Sequence, residues 1–417
     1  MSEIDQKEQR KRELRERMIQ AESIKEKEGP PAPQGLAGFL RQRRGLWAVL
    51  LFALAVGIMV FFFFALLNHY MRYGSYKLNW IRELNMGSLE SYEDFAGGFL
   101  KISRDGVSWY KTSGQDVWIE SHEMKNPRTY KNGNFCLVYD ASGSKIELFE
   151  REGKTGEIDT NLPIIKAVVA KNGVVVVLTE DRLSTYIQFY DRDGKDLDVS
   201  IKTKLSGKGF PVDISLNPSG TGLLVGFQVI AGGKLKGRIV FYDFSEVGQN
   251  LPGRLAGGFD DPNARGDSLI CRVHYMDSIH SMVVSTSGLS FYSSKNITSP
   301  AQKATVQYEG EIEAIAYTDK NVAVVVKDGG QGHLLHYYDV KGKELWKKAF
   351  TTEFETLDME KDFIYLYNRT KAVIYSAAGV EKFNGDLDLK ILKIRKSDWI
   401  NHFVVLGETE FRGITLR

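Results

Sequence analysis

Cysteine is scarce in this chain, which has only Cys136 and Cys271 among its 417 residues. Small folds that depend on disulfides for stability use many more cysteines than this, so the sequence excludes that class. An even number of cysteines still permits one disulfide. Because both residues lie within apolar runs, NFCLVYD and SLICRVHY, we predict two buried free thiols.

Motifs for catalysis and metal binding are also missing. The seven histidines form no H-E-x-x-H sequence and no cluster with cysteine. The chain contains neither a G-x-S-x-G nucleophile turn nor a glycine-rich phosphate loop. We therefore assign no catalytic residue, no metal ligand and no cofactor, and we predict that the protein is not an enzyme.

The chain has almost no net charge. It carries 55 Lys and Arg against 53 Asp and Glu, a formal net charge of +2. Residues 1–45 hold eleven of the basic and eight of the acidic residues, which leaves 44 against 45 in the remainder. A neutral body lacks the basic surface that binding to nucleic acid requires, so nucleic acid is excluded as a partner.

One long uncharged stretch, LWAVLLFALAVGIMVFFFFALL, begins at Leu46 and ends at Leu67. As a helix it would be about 33 Å long, enough to cross a hydrocarbon core of about 30 Å. A helix that is apolar on every face is unusual as a core helix of a soluble protein. The stretch is also too long, and too far from the N-terminus, for the apolar region of a cleaved signal peptide. We predict an uncleaved, single-pass membrane anchor.

The charges beside this stretch predict its orientation. Arg41, Arg43 and Arg44 immediately precede it, and the basic residues that follow it are more dispersed: Arg72, Lys77 and Arg82. Basic flanks stay in the cytoplasm, so we predict a cytoplasmic N-terminus and a C-terminal domain outside the cell membrane.

Four segments follow from this topology. Residues 1–45 are predicted to be a polar cytoplasmic tail, partly helical or disordered, and residues 46–67 the transmembrane helix. Residues 68–75 would be a short juxtamembrane linker. Residues 76–417 would form an extracytoplasmic domain.

This domain is built from a repeat of apolar strands and glycine-containing turns. Clear copies read IQFYDRDGKDLDV at 187–199 and LHYYDVKGKELWK at 335–347. One buried-type residue anchors each copy, and the anchors recur every 37 to 52 residues, at Trp109, Phe149, Phe189, Phe241, Phe291, Tyr337, Ile374 and Phe411. Two apolar strands precede each anchor strand and a more polar strand follows its turn. Four antiparallel strands in about 40 residues are typical of a β-propeller blade.

The number of units predicts how the ring closes. Seven complete units are followed by an eighth that stops after its third strand, which predicts an all-β propeller of eight four-stranded blades. The segment YKLNWIRELN at 76–85 is strand-like and has no other partner. We predict that it supplies the missing outer strand and so hides the open edge. A seven-bladed ring, with one unit divided wrongly, is the alternative.

The segments YYDVKGKELWKKAF and FYDRDGKDLDV resemble the quinoprotein-type, WD-like blade repeat, whose hallmark is Tyr-Asp-x-x-Gly-Lys-x-Leu-Trp. The whole layout is similar to an uncharacterised clostridial-type family of single-pass membrane proteins with a propeller ectodomain. That resemblance implies a fold but no activity. Quinoprotein enzymes would need tryptophans in the central funnel, whereas Trp80, Trp118 and Trp346 are predicted on outer strands, so no quinone is predicted.

The acidic run DRDGKDLD invites a calcium interpretation through Asp191, Asp193, Asp196 and Asp198. An EF-hand loop needs glycine at its sixth position and glutamate at its twelfth, and this run has neither. The same positions in other units form a hairpin turn. We therefore predict a turn rather than a metal site.

Two insertions, at 229–238 and 245–267, widen the repeat spacing to about 50 residues. Binding residues concentrate in loops carried on a rigid scaffold, so we predict a partner-binding surface there, with ordinary surface loops as the alternative. The candidate contact residues are Lys234, Lys236, Arg238, Arg254, Asp260, Asp261, Arg265 and Asp267.

Together these features predict a membrane-anchored extracytoplasmic propeller that acts as a binding or scaffold module at the cell envelope. Its partner would be an envelope protein or a glycan. The alternative is an extracytoplasmic propeller enzyme, a lyase or hydrolase with its site in the central funnel. The missing catalytic motifs favour the binding module.

Overall fold

The chain divides into two compact units, Met1–Met71 and Arg72–Arg417. The computed structural model describes residues 3–27, 50–63, 66, 70–84, 90–204, 209–263, 269–327, 329–330, 332–360, 362–397 and 399–417.

The first unit contains helix α1, Glu3–Lys27. Opposite charges four residues apart, such as Glu13 and Arg17, support this helix, and the described side chains at 8–20 are exposed. Residues 50–63 are also helical, and every one of their side chains is exposed.

Of the predicted membrane span, 46–67, the structure describes residues 50–63 and 66. The arginines that precede the span lie outside the described residues. Within the described part of the chain, no helix is both long enough and apolar enough to cross a membrane.

The described residues of the second unit form eight four-stranded antiparallel sheets, the blades of a propeller. Strand β1 (Tyr76–Glu83) comes first in the chain and belongs to the last blade. Blades 1 and 2 contain β2 (Ser91–Phe95), β3 (Gly98–Ile102), β4 (Gly106–Lys111), β5 (Asp116–Ser121), β6 (Pro127–Asn132), β7 (Phe135–Asp140), β8 (Lys145–Glu150) and β9 (Gly153–Asp159). Blades 3 and 4 contain β10 (Ile164–Val169), β11 (Val175–Glu180), β12 (Ser184–Tyr190), β13 (Asp196–Lys204), β14 (Phe210–Leu216), β15 (Gly222–Ala231), β16 (Lys234–Asp243) and β17 (Leu255–Asp260).

The remaining four blades follow the same plan. Blades 5 and 6 contain β18 (Ile270–Tyr275), β19 (His280–Ser285), β20 (Gly288–Ser293), β21 (Ala301–Gln307), β22 (Ile312–Tyr317), β23 (Asn321–Lys327), β24 (His333–Asp339) and β25 (Glu344–Phe350). Blades 7 and 8 contain β26 (Thr356–Glu360), β27 (Phe363–Tyr367), β28 (Lys371–Ser376), β29 (Glu381–Asp386), β30 (Ile391–Lys396), β31 (His402–Gly407) and β32 (Glu410–Leu416), with β1 completing blade 8. Two 3₁₀ turns, Val247–Asn250 and Pro252–Arg254, precede β17.

The ring closes through β1. It pairs antiparallel with β32, from Tyr76 opposite Leu416 to Glu83 opposite Glu410. The described residues therefore confirm the predicted eight-bladed ring and the use of this segment as its missing outer strand, and the seven-bladed alternative is wrong.

The core lies between neighbouring blades. The eight predicted anchors all fall on the third strand of a blade, and each is at most 3% exposed. Second strands are almost continuously buried, as in β11, because blades cover both of their faces. Blade 3 packs on blade 4 in this way through Val176, Phe189 and Val225.

Outer-strand tryptophans connect neighbouring blades. The indole N–H of Trp118 donates to the carbonyl oxygen of Arg151 at 2.9 Å, and that of Trp346 donates to Ala377 at 2.8 Å. Both carbonyls lie in the turn before the outer strand of the next blade. The predicted placement of these two tryptophans, and of Trp80, on outer strands is confirmed.

The repeated Tyr-Asp-x-x-Gly-Lys motif forms the turn into the outer strand. Asp191 Oδ1 accepts the backbone N–H groups of Asp193 and Lys195 at 3.0 and 2.9 Å. Gly194 has a φ of 88°, and a Cβ there would lie 2.2 Å from a carbonyl oxygen of the preceding blade. The aspartate closes the turn, and the glycine permits both its backbone conformation and the close contact between blades.

Candidate binding site

The inner strands of all eight blades surround a central channel. Their side chains and the turns that follow them enclose a cavity of about 720 Å³. In five inner strands a β-bulge interrupts the register, for example between Ile270 and Arg272 in β18. A bulge redirects the side chains that follow it, and in β10, β18 and β30 the residue directly after it is a basic residue of the channel wall: Lys166, Arg272 and Lys393.

Most channel charges are paired between blades. Lys131 of blade 2 lies 3.0 Å from Glu93 of blade 1. Lys166 of blade 3 pairs with Asp213 of blade 4. A further pair, Lys171 with Asp319, joins turns of blades 3 and 6 across the mouth of the channel.

Blade 8 contributes a buried cation that holds the ends of the ring together. Lys393 Nζ lies 3.1 Å from Asp358 of blade 7 and 3.6 Å from Asp94 of blade 1. Burial opposes its charge, but the surrounding carboxylates Asp94, Asp358 and Glu93 outweigh that effect and raise the pKa of Lys393 well above its ordinary value. The neighbouring Arg395 makes parallel contacts with the same two blades.

Arg272 is different, because its guanidinium has no carboxylate oxygen within 4.0 Å among the described residues. Its nearest polar contact is the Tyr317 hydroxyl, 3.4 Å from Nη1. The guanidinium carbon also lies 5.7 Å from the centre of the Tyr317 ring. Both carboxylate oxygens of the nearby Asp213 have other partners. Its Oδ1 contacts Lys166, and its Oδ2 accepts the N–H of Val273 at 2.8 Å.

The imidazole and phenol groups of the channel offer weak acid–base chemistry. The His274 ring centre lies 4.2 Å from that of Tyr317. Burial, reinforced by the positive charges of Lys166 and Arg272, lowers the pKa of His274 to about 3. Burial also raises the pKa values of Tyr130 and Tyr317. Neutral imidazole and phenol groups can donate and accept hydrogen bonds, but they are poorly suited to proton transfer near neutral pH.

The two cysteines differ. Both are free thiols. Cys136 is buried, and burial raises its pKa to about 12. Cys271 is exposed, contrary to the prediction, because it occupies the bulge between Ile270 and Arg272 and does not point into a core. Among the described residues no group of three or more His, Cys, Asp or Glu could hold a metal ion.

The predicted partner-binding residues divide into several environments. Lys234 and Lys236 lie exposed at the tip of the β15–β16 hairpin. Arg238 lies further along that hairpin, and its Nε is 3.4 Å from Asp260 of the adjacent outer strand. The structure brings these four residues together.

The other predicted residues do not join them. Arg254 lies at the opposite end of blade 4, as the last residue of the second 3₁₀ turn, where its guanidinium contacts the Ser245 carbonyl and the Phe244 ring. Asp261 is buried, and its Oδ1 accepts the N–H of Asn263 at 3.0 Å. The two remaining candidates, at positions 265 and 267, are outside the described residues.

Sequence reasoning missed the channel residues. The signal was a charged residue in the inner strand of five of the eight units, at Lys166, Asp213, Arg272, Asp358 and Lys393. Each looks ordinary by itself, because a strand that alternates apolar and polar residues normally turns its polar face to solvent. Only the closed ring places them around one cavity.

The chain was compared with known protein families, curated proteins and solved structures. The model of the "Family of unknown function (DUF5711)" matches residues 69–416. No curated protein matches the chain. Among solved structures, the chain is similar to apo AztD from Citrobacter koseri, with a TM-score of 0.51 and 9% identity over 74% of this chain and 88% of that one.

Two further structures are similar. A eukaryotic initiation factor has a TM-score of 0.50 and 10% identity over 80% of this chain and 84% of that one. BamB from Moraxella catarrhalis has a TM-score of 0.49 and 12% identity over 82% and 98%. At such identities AztD and the initiation factor show the shared fold alone.

Proposed function

The chain belongs to DUF5711, a family of unknown function, and from its own residues we propose that it is a membrane-anchored binding or scaffold module. It has a single membrane pass, its N-terminus lies in the cytoplasm, and its propeller lies outside the membrane at the cell envelope. Its partner is an envelope protein or a glycan. The sequence resemblance also implies a clostridial source and a membrane anchor, and we propose both for this chain.

The apolar segment supports the anchor. Residues 50–63 form a helix whose apolar side chains are all exposed, among them Phe52 at 71% and Phe61 at 69%. A continuous exposed apolar surface of this kind requires an apolar environment. The uncharged sequence continues on both sides of the described helix, from 46 to 67, with arginines before it.

The β15–β16 hairpin carries the proposal for partner binding. Both of its strands are ten residues long, whereas the second and third strands of the other blades have five to seven. Its tip therefore projects beyond the propeller face. Ile230 there is 79% exposed and lies beside the exposed Lys234 and Lys236. An apolar side chain flanked by cations on a rigid projection suits contact with an acidic partner surface.

The channel supports a role without catalysis. The low pKa of His274 makes it a poor base, and burial keeps the tyrosine hydroxyls protonated. The channel carboxylates Asp213, Asp319 and Asp358 are engaged by lysines. The alternative of a lyase or hydrolase would need one of these groups, or Asp94, whose pKa is raised by burial, to transfer protons at neutral pH.

The hairpin proposal is tested by charge reversal in the full-length chain. Lys234→Glu combined with Lys236→Glu should abolish recovery of a partner from a cell-envelope extract while the thermal unfolding temperature stays unchanged. The matched control reverses Lys303 and Lys320, two exposed lysines on other blades. Equal recovery by wild type and the hairpin variant would contradict the proposal, as would equal loss in the control.

A further inference from the structure

We propose that the central channel is a binding site for a small organic oxyanion, a carboxylate or phosphate compound, held by Arg272 with Arg128 as a second contact. This site is separate from the β15–β16 hairpin and does not depend on the partner proposed for it.

Most charged side chains of the channel are paired. Lys131, Lys166, Lys171 and Lys393 each have a carboxylate partner from another blade. The two arginines of the cavity wall do not. Among the described residues no carboxylate oxygen lies within 4.0 Å of either Arg128 or Arg272. After these four pairs are matched, Arg128 and Arg272 remain without a direct carboxylate partner, and the one further carboxylate of the described lining, Asp94, contacts Lys393 and Arg395 instead.

Asp213 favours the charge of Arg272 from a distance but makes no direct ion pair with it. It is only 4% exposed, and its two oxygens are taken by Lys166 and by the Val273 backbone. A guanidinium has five N–H donors in a planar fork, and Arg272 uses one of them on the Tyr317 hydroxyl at 3.4 Å. The remaining donors match the paired oxygens of a carboxylate or phosphate group.

The groups around Arg272 can hydrogen-bond an anion, and the volume of the cavity suits a small molecule. His274 is neutral because its pKa is lowered to about 3, so it can offer the anion a hydrogen bond but no positive charge. Tyr130 and Tyr317 present phenol groups from opposite parts of the ring. The cavity volume of about 720 Å³ lies within the range of about 300–1,000 Å³ that is common for small-molecule sites.

Binding is tested with full-length protein by isothermal titration calorimetry. The carboxylate probe is citrate, the phosphate probe is glycerol 3-phosphate, and glycerol is the uncharged control. We expect the wild type to bind at least one of the two anions and not glycerol. Arg272→Gln should weaken that binding about tenfold or more, because charge-assisted hydrogen bonds are lost.

Two variants keep the test independent of folding. Arg128→Gln alters an exposed side chain, so the fold should persist while affinity falls. Arg192→Gln removes an exposed arginine in the turn before the outer strand of blade 3 and should leave affinity unchanged. The proposal is overturned if neither anion binds the wild type. It is also overturned if Arg272→Gln and Arg128→Gln bind as the wild type does, or if Arg192→Gln weakens binding equally.

Discussion

Lys393 shows how single residues of the channel wall stabilise the ring. Its side chain is 10% exposed and contacts carboxylates of the first and the seventh blade. Replacement by methionine keeps the length of the side chain but leaves Asp358 without its counter-charge and Asp94 with only Arg395 of the described residues, 3.7 Å away. We expect Lys393→Met to lower the free energy of unfolding by about 3–5 kcal/mol, as measured by denaturant titration.

Lys390 provides the matched control. Lys390 directly precedes β30, the strand that contains Lys393. It pairs with Glu408, but its side chain is 44% exposed. An exposed ion pair contributes about 1 kcal/mol or less. Lys390→Met should therefore cost far less than Lys393→Met, and equal losses would show that the buried position of Lys393 is unimportant.

His274 gives the fold a dependence on pH. Its pKa is about 3 in the folded protein because of burial, against about 6.5 in an unfolded chain. The unfolded state therefore binds the extra proton, so the stability is complete above about pH 6.5 and falls as the pH drops toward 3. The slope from this group is about 1.4 kcal/mol per pH unit.

The measurement compares wild type with His274→Phe, which keeps a ring against Tyr317 but cannot be protonated. Other groups titrate in the same range, so the informative quantity is the difference between the two stability curves. That difference should grow between pH 6.5 and pH 4 in favour of the variant. Parallel curves would mean that His274 is protonated without penalty.

Single residues also mark the limit of what the sequence predicts. The anchors, such as Phe149 and Phe291, were predictable because a strongly apolar residue at a fixed place in a repeat has to be buried. Cys271 was not, because a β-bulge moves it out of the core although its neighbours are apolar. Bulges depend on how blades pack, and single-sequence patterns carry little information about that.

At the scale of elements, β1 determines whether the ring is closed. Trp80 of this strand packs on the cluster around Phe99 and Phe411, and Tyr76 packs beside Ile414. A chain that begins at residue 87 lacks the whole strand, whereas one that begins at residue 74 retains it. We expect the shorter chain to lose about 3 kcal/mol or more, because apolar faces and the edge of β32 become exposed.

Thermal and denaturant unfolding of the two truncated chains measure this loss. Both lack the N-terminal unit and Tyr73, so they differ only in residues 74–86. Equal stabilities would mean that pairing between β1 and β32 contributes little, and that the other blades hold the ring closed without it.

The strands were predictable as elements because the repeat gives each one eight independent observations. A turn such as the one at Asp191 and Gly194 recurs with the same chemistry in several units. The long β15–β16 hairpin was recognisable as an insertion but not as a projection. The sequence predicted one partner-binding surface over both insertions, whereas the structure places the hairpin and the 3₁₀ turns at opposite ends of blade 4.

At the scale of the whole molecule, the eight-bladed ring was predictable and its channel was not. Blade number follows from counting units, and closure follows from one strand without a partner. The channel charges come from residues far apart in sequence, such as Lys171 and Asp319. Nothing in a local pattern indicates that two such turns meet, since the contact depends on the curvature of the entire ring.

The proposed membrane topology of the whole molecule can be tested with cysteine labelling in intact cells. In a Cys136→Ala, Cys271→Ser background, Lys303→Cys places a thiol on an exposed outer strand and Gln9→Cys places one on the exposed face of α1. Arginines before the apolar segment and few basic residues after it predict that the propeller is outside. We expect a membrane-impermeant maleimide to label Lys303→Cys in intact cells and Gln9→Cys only after permeabilisation. The reverse result would show the opposite topology. If both thiols were protected until permeabilisation, the propeller would not be exposed at the cell surface.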